Sequence, residues 1–127
     1  MAQIEIPQQW RTTVCAILKT EATDRLVEWT FDAEQRYEAD ATATKLRAGD
    51  TDPVWRNEVY RPFTDFLSSP HPTGCLVTMQ SPPGETYEFY FPFLGKQFYG
   101  KILLRTDCKR IVIFSAHRPL KAKLSCE

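Results

Sequence analysis

The sequence predicts an α+β fold, with N-terminal helices packed on one face of a four-stranded antiparallel sheet. Three observations lead there. Apolar residues recur at helical spacing through the first half of the chain, the period changes to two from Gly74 onward, and turn residues punctuate the alternating runs. Helices followed by strands make an α+β layering, which leaves the second face of the sheet partly free for a site. The chain has 127 residues, 43% apolar and 25% charged, a globular composition long enough to bury one core. It is read as a single domain, with a helical extension over 1–50 and a helix plus antiparallel meander over 51–127.

Pro7 is suited to the first turn of a helix, and Trp10, Val14, Ile17 and Leu18 continue one apolar stripe. A strand over 3–6 or 12–18 is an alternative reading of this region. A second helical set runs through Leu26, Val27, Trp29, Thr30 and Ala33, then through Tyr37 and Ala41, and Gly49 stops it. Asp52-Pro53 reads as an N-cap with proline at the first helical position. Val54, Val59, Phe63, Phe66 and Leu67 follow as a buried stripe, with Pro62 expected to kink or end it. Trp10, Trp29 and Trp55 are expected in the core. SSPHPTG is a loop, so His71 reads as structural. The strands are CLVTMQ, TYEFYFPF, QFYGKILLR and RIVIFSAHR. Pro92 belongs at an edge or bulge.

The last hairpin carries the charge pattern of interest. Residues two apart share a face, so Tyr99, Lys101 and Arg105 lie together. Ser115 and His117 share a face of the next strand. A one-residue slip in the connection would separate these sets. An odd loop at DCK is predicted, because it sets Lys101 opposite Ser115 and Tyr99 opposite His117. The resulting solvent face is Tyr99, Lys101, Arg105, Ser115 and His117, and the core face is Phe98, Ile102, Leu104, Val112, Phe114 and Ala116. The even register would bury cations under helices.

The formal net charge is zero, yet residues 1–95 are acidic and residues 96–127 basic. A polyanionic partner for the basic part accounts for the asymmetry. Pairing of the two parts within the fold accounts for it as well. The cysteines at 15, 75, 108 and 126 have no CxxC spacing, so free thiols and a reducing, cytoplasmic setting are expected, with no metal and no cofactor. No apolar run approaches the about 20 residues of a membrane-spanning helix, and no secretory signal is read at the start.

The pieces TDFLSSP, YEFYF (87–91), FYGKILLR (98–105), TDCKR (106–110) and IVIFSAHR (111–118) stand in an order that resembles the RelE/HigB/ParE superfamily of bacterial toxins. The resemblance covers about residues 60–121. The family's arginine in the YELR-type strand has no counterpart near Tyr90, and the tail LKAKLSCE lacks the tyrosine some members use as a base. The layout fits the wider nuclease fold of colicin-like and contact-dependent toxins equally well. The resemblance implies a RelE-like sheet and a toxin that acts on RNA, ribosome-bound mRNA included. It also implies a cognate antitoxin that covers the basic face with an acidic segment.

RNA is cleaved without metal when a base takes the 2′-OH proton, the oxygen attacks phosphorus, cations stabilise the added charge and an acid protonates the 5′-oxygen. His117 is one of two histidines, and imidazole titrates near neutrality, so it is the candidate acid/base. Lys101 and Arg105 are the candidates for the scissile phosphate. Arg118, Lys96, Lys109 and Arg110 suit flanking phosphates, Tyr99 a base or hydrogen bond, and Ser115 an orienting contact. The alternative is a non-catalytic module of the same fold, an inhibitor of a protein target or an RNA-binding domain.

Overall fold

A computed structural model describes residues 2–127. The chain runs β1 (Ile4–Glu5), α1 (Gln8–Leu18), α2 (Thr23–Leu26), β2 (Val27–Trp29), α3 (Phe31–Arg47), a 3₁₀ turn (Arg56–Val59), α4 (Tyr60–Leu67), β3 (Thr73–Val77), β4 (Gly84–Phe93), β5 (Lys96–Arg105) and β6 (Ile111–His117). The class is α+β, as expected. The sheet has six strands in the order β1-β3-β4-β5-β6-β2, not four. The predicted meander is its contiguous centre, and the N-terminal segment supplies both outer strands. β1 pairs antiparallel with β3, and β2 pairs parallel with β6. The first fifty residues are therefore woven into the sheet rather than appended to it.

Alternation decides which face each strand buries. Tyr87, Phe89, Phe91 and Phe93 of β4 point to the helices with Phe98, Ile102 and Leu104 of β5. Phe63 of α4 lies 4.5 Å, ring to ring, from Phe91, Phe66 stacks on Phe89 at 5.1 Å, Trp10 of α1 meets Tyr87 at 5.0 Å, and Tyr37 of α3 stacks on Phe93 at 6.1 Å. Gly100 makes this layer possible: a Cβ there would come within 2.9 Å of both the Phe63 and Phe89 rings. Buried Arg11 ties the layer to its surroundings, donating to the carbonyls of Ile6 at 2.8 Å and Leu67 at 2.9 Å.

Several sequence expectations are corrected. Val27 and Trp29 lie in a strand, because this short apolar run finds the free edge of β6; helix α3 starts after it, with the Thr30 hydroxyl accepting from Ala33 N–H at 3.1 Å. Asp52 caps no helix; helical structure begins at Arg56, where Glu58 accepts the Trp55 N–H. Pro62 sits in the first turn of α4, where a missing N–H costs little. Trp55 is 63% exposed, although Trp10 is buried and Trp29 partly so. Pro92 is tolerated in β4 because β3 reaches only Thr86–Glu88, leaving that side of the strand unpaired.

Candidate functional site

The hairpin brings its predicted residues to one face by a different route, but that face is not the solvent face expected: His117 and Ser115 are buried, and Tyr99, Lys101 and Arg105 are partly buried. Tyr99 pairs with His117 and Lys101 with Ser115. The connection itself is even: Arg105 N–H donates to the Arg110 carbonyl at 3.0 Å, and Leu104 pairs with Ile111. The extra residue lies at a bulge beside Lys101/Ile102, where Phe114 has no cross-strand partner. The predicted core face is corrected accordingly. Ile111 and Ile113, fully buried, join Ile102 and Leu104 under the helices; Val112 turns to the other face opposite Leu103, and Phe114 is only half-buried. Ala116 keeps its predicted place.

The helix-free face carries, side by side, Glu88 opposite Lys101, Tyr90 opposite Tyr99, Lys101 opposite Ser115 and Tyr99 opposite His117. Lys101 and His117 are diagonal neighbours, about 7–8 Å apart. A cavity of about 700 Å³ opens here. Its floor is formed by these strand residues, one wall by residues Pro119–Ser125 of the C-terminal tail, and one corner by Asp32 and Arg36 of α3.

Within the cavity His117 is 6% exposed, and its Nδ1 lies 2.7 Å from the Arg118 carbonyl. A carbonyl only accepts, so Nδ1 carries the proton and the Nε2 lone pair of the neutral ring is left for another partner. The Lys101 ammonium lies 5.9 Å from the Phe114 ring centre and makes no ion pair among the described residues. Tyr99 donates its hydroxyl to Glu88, and Glu88 also accepts the Ser125 N–H. Burial pushes the Glu88 carboxyl up, but the two hydrogen bonds and the nearby Lys101 charge outweigh it and hold the group below the usual carboxylate range. Burial and the bond to this carboxylate push the Tyr99 phenol well up, so it stays a donor. The sequence reading missed Glu88. Its signal is its strand position, on the same face as Tyr90 and opposite Lys101.

The remaining predicted residues are scattered. Arg105 shares the face of Lys101 but lies four residues along β5, about 13 Å away. Its guanidinium binds Glu28 through Nε at 3.0 Å and Nη2 at 2.8 Å, and this pairing holds Glu28 below its ordinary pKa. Arg110 lies at the turn beside Asp107, 3.4 Å away, and Glu28. Lys109 is exposed at the same turn, and Lys96 is exposed at the start of β5. Arg118 directs its guanidinium to the Gln97 carbonyl and its backbone N–H to Asp40 at 2.8 Å. Ser115 lines the cavity, but its hydroxyl donates to the Phe114 carbonyl. Part of the charge asymmetry is thus neutralised within the fold, at Arg105 and Arg110, while Lys101 and the tail's Lys121 and Lys123 make no ion pair among the described residues and line the cavity.

The cysteine expectation is also corrected. Cys75 and Cys126 form a disulfide, with Cα atoms 5.6 Å apart, while Cys15 and Cys108 are free thiols. Cys75 on β3 meets the tail as it returns across the helix-free face. Disulfides persist in oxidising settings, so cysteine usage no longer argues for a reducing one. His71 contacts the Glu5 carboxylate at the β1 edge of the sheet and does not line the cavity. No helix among the described residues is long and apolar enough to cross a membrane, and no three His, Cys, Asp or Glu side chains among them gather where a metal ion would sit.

Comparison with protein-family models, curated proteins and solved structures finds no match for this chain.

Proposed function

We propose that the chain is a metal-independent endoribonuclease of the RelE-like toxin kind, acting in the cytoplasm on RNA, with an antitoxin as its partner. The observation that carries this reading is the pairing, in one cavity on the helix-free face, of an unpaired ammonium at Lys101 with an imidazole at His117 whose tautomer is fixed by Arg118. Nε2 of His117 takes the 2′-OH proton as that oxygen attacks phosphorus. The Lys101 ammonium stabilises the charge on the five-coordinate phosphorus and on the departing 5′-oxygen, which takes its proton from solvent water, and the His117 imidazolium gives its proton to the hydroxide left behind. Tyr99, held by Glu88, offers a phenol edge to the base or sugar. Arg105 leaves the predicted catalytic set because Glu28 already occupies its guanidinium.

The second reading is a non-catalytic module that grips a polyanion at the same cavity. It is favoured by the engagement of both Glu88 oxygens, which takes that carboxylate out of proton transfer beside His117. Purified protein incubated with RNA and a chelator separates the two. Cleavage should leave 2′,3′-cyclic phosphate ends, be lost on His117→Ala or Lys101→Ala, and survive Arg105→Ala. Binding without cleavage under every condition would leave the non-catalytic module.

A further inference from the structure

We propose that the C-terminal tail is a thiol-controlled strap: with Cys75–Cys126 closed it walls the cavity over Glu88, and reduction of the bridge by a dithiol releases it and opens the face. The inference deepens the preceding one, since the polyanion it admits is the RNA named there. The strap is residues 119–127. This segment has no helix or strand, yet it forms one whole wall of the cavity.

Its holds on the sheet are few and lie at its far end. Leu124 is 4% exposed, Ser125 N–H donates to Glu88, and the Lys121 carbonyl accepts weakly from the Tyr90 hydroxyl at 3.4 Å. Glu127 reaches Gln3 and the Leu124 N–H. The disulfide is the one covalent tie, one residue beyond the Ser125–Glu88 hydrogen bond. A single buried leucine and a few hydrogen bonds are a weak hold for a nine-residue segment whose backbone entropy opposes order. The bridge is what keeps the strap down.

The chemistry balances with a dithiol as reductant. Its thiolate attacks one sulfur of the bridge, the Sγ–Sγ bond breaks and a mixed disulfide forms. The reductant's second thiol then displaces the protein sulfur. Two electrons pass to the protein, both cysteine sulfurs end as protonated thiols, and the reductant leaves as a disulfide. The lysines at 121 and 123 then move with the strap, and Glu88 loses its Ser125 donor while keeping Tyr99. A polyanion meets Lys101 and His117 without the wall.

The test uses the full chain carrying Cys108→Ser, which removes the exposed free thiol, oxidised and dithiothreitol-reduced. Hydrogen exchange at the Ser125 amide and carbethoxylation of His117 report the strap directly, without a ligand. Reduction should speed both at least tenfold while the cooperative unfolding transition persists. Leu124→Asp, with the bridge intact, should speed His117 modification less than reduction does. Unchanged rates after full reduction would overturn the proposal. So would loss of cooperative unfolding on reduction, since the bridge would then staple the fold rather than gate a cavity. A single-stranded RNA oligonucleotide is added last. If the strap opens on reduction and RNA binding does not tighten, the ribonuclease reading fails and the strap stands.

Discussion

Replacing Glu88 by Gln isolates the charge that organises the cavity. The shape is retained, but Gln offers a single acceptor oxygen: it can keep the Ser125 N–H as a neutral bond, while its NH2 faces the Tyr99 hydroxyl, which must turn to accept. Hydrogen bonds to a charged acceptor contribute about 1.5–3 kcal/mol and neutral ones about 0.5–1.5. Each of the two bonds should therefore weaken by about 1 kcal/mol, giving a loss of about 2 kcal/mol at neutral pH. For a chain of 127 residues that lowers Tm by about 7 °C. The pH dependence has a definite sign. The folded carboxyl titrates below its ordinary value, so its stabilisation is fully present above the unfolded value of about 4.3 and fades as pH falls through the folded one. Thermal unfolding of wild type and Glu88→Gln from pH 7 to pH 2.5 measures this directly. The two Tm values should differ at neutral pH and converge in acid. Equal stability at pH 7, or a gap that is constant across the range, would refute the reasoning.

Gly100→Ala should destabilise by about 1–3 kcal/mol in urea unfolding, since the new methyl meets two buried rings at 2.9 Å. Tyr37→Phe should cost about 1 kcal/mol, because it deletes the hydrogen bond its hydroxyl donates to the Trp55 carbonyl at 2.6 Å, while that carbonyl keeps the Glu58 N–H at 3.1 Å. Removing the bridge with Cys75→Ala and Cys126→Ser should lower stability by up to roughly 4 kcal/mol, the loop-entropy value for a sequence separation of 51. If binding is to RNA, Lys101→Ala should reduce the slope of log K against log salt by about 0.7, and Arg105→Ala should leave it unchanged.

The fold was legible where the periodicity was long. α1, α3 and the four central strands follow from repeated apolar positions that one face must bury. Of the two outer strands, β1 falls within the alternative strand reading over 3–6 and β2 was read as helix, because two or three residues carry no period of their own and are specified by the edges of β3 and β6. Val27 and Trp29 fit a helical stripe as well as a strand. In the site, the pairing of Tyr99 with His117 and Lys101 with Ser115 followed from keeping cations out of the core. The bulge at Phe114 did not, since an extra residue in a strand and one in the turn shift the register alike. Arg105's capture by Glu28, 77 residues away in sequence, and the meeting of Cys75 with Cys126 are products of topology that no local pattern encodes.

Nuclear magnetic resonance of the His117 ring during titration with a 2′-deoxy-substituted, uncleavable RNA oligonucleotide tests the central claim most directly. The account predicts that the His117 Cε1–H and the Lys101 Nζ-adjacent methylene signals move together, and that Lys101→Ala abolishes the His117 response. Perturbation confined to Lys109 and Arg110 at the turn, with His117 unmoved, would contradict it.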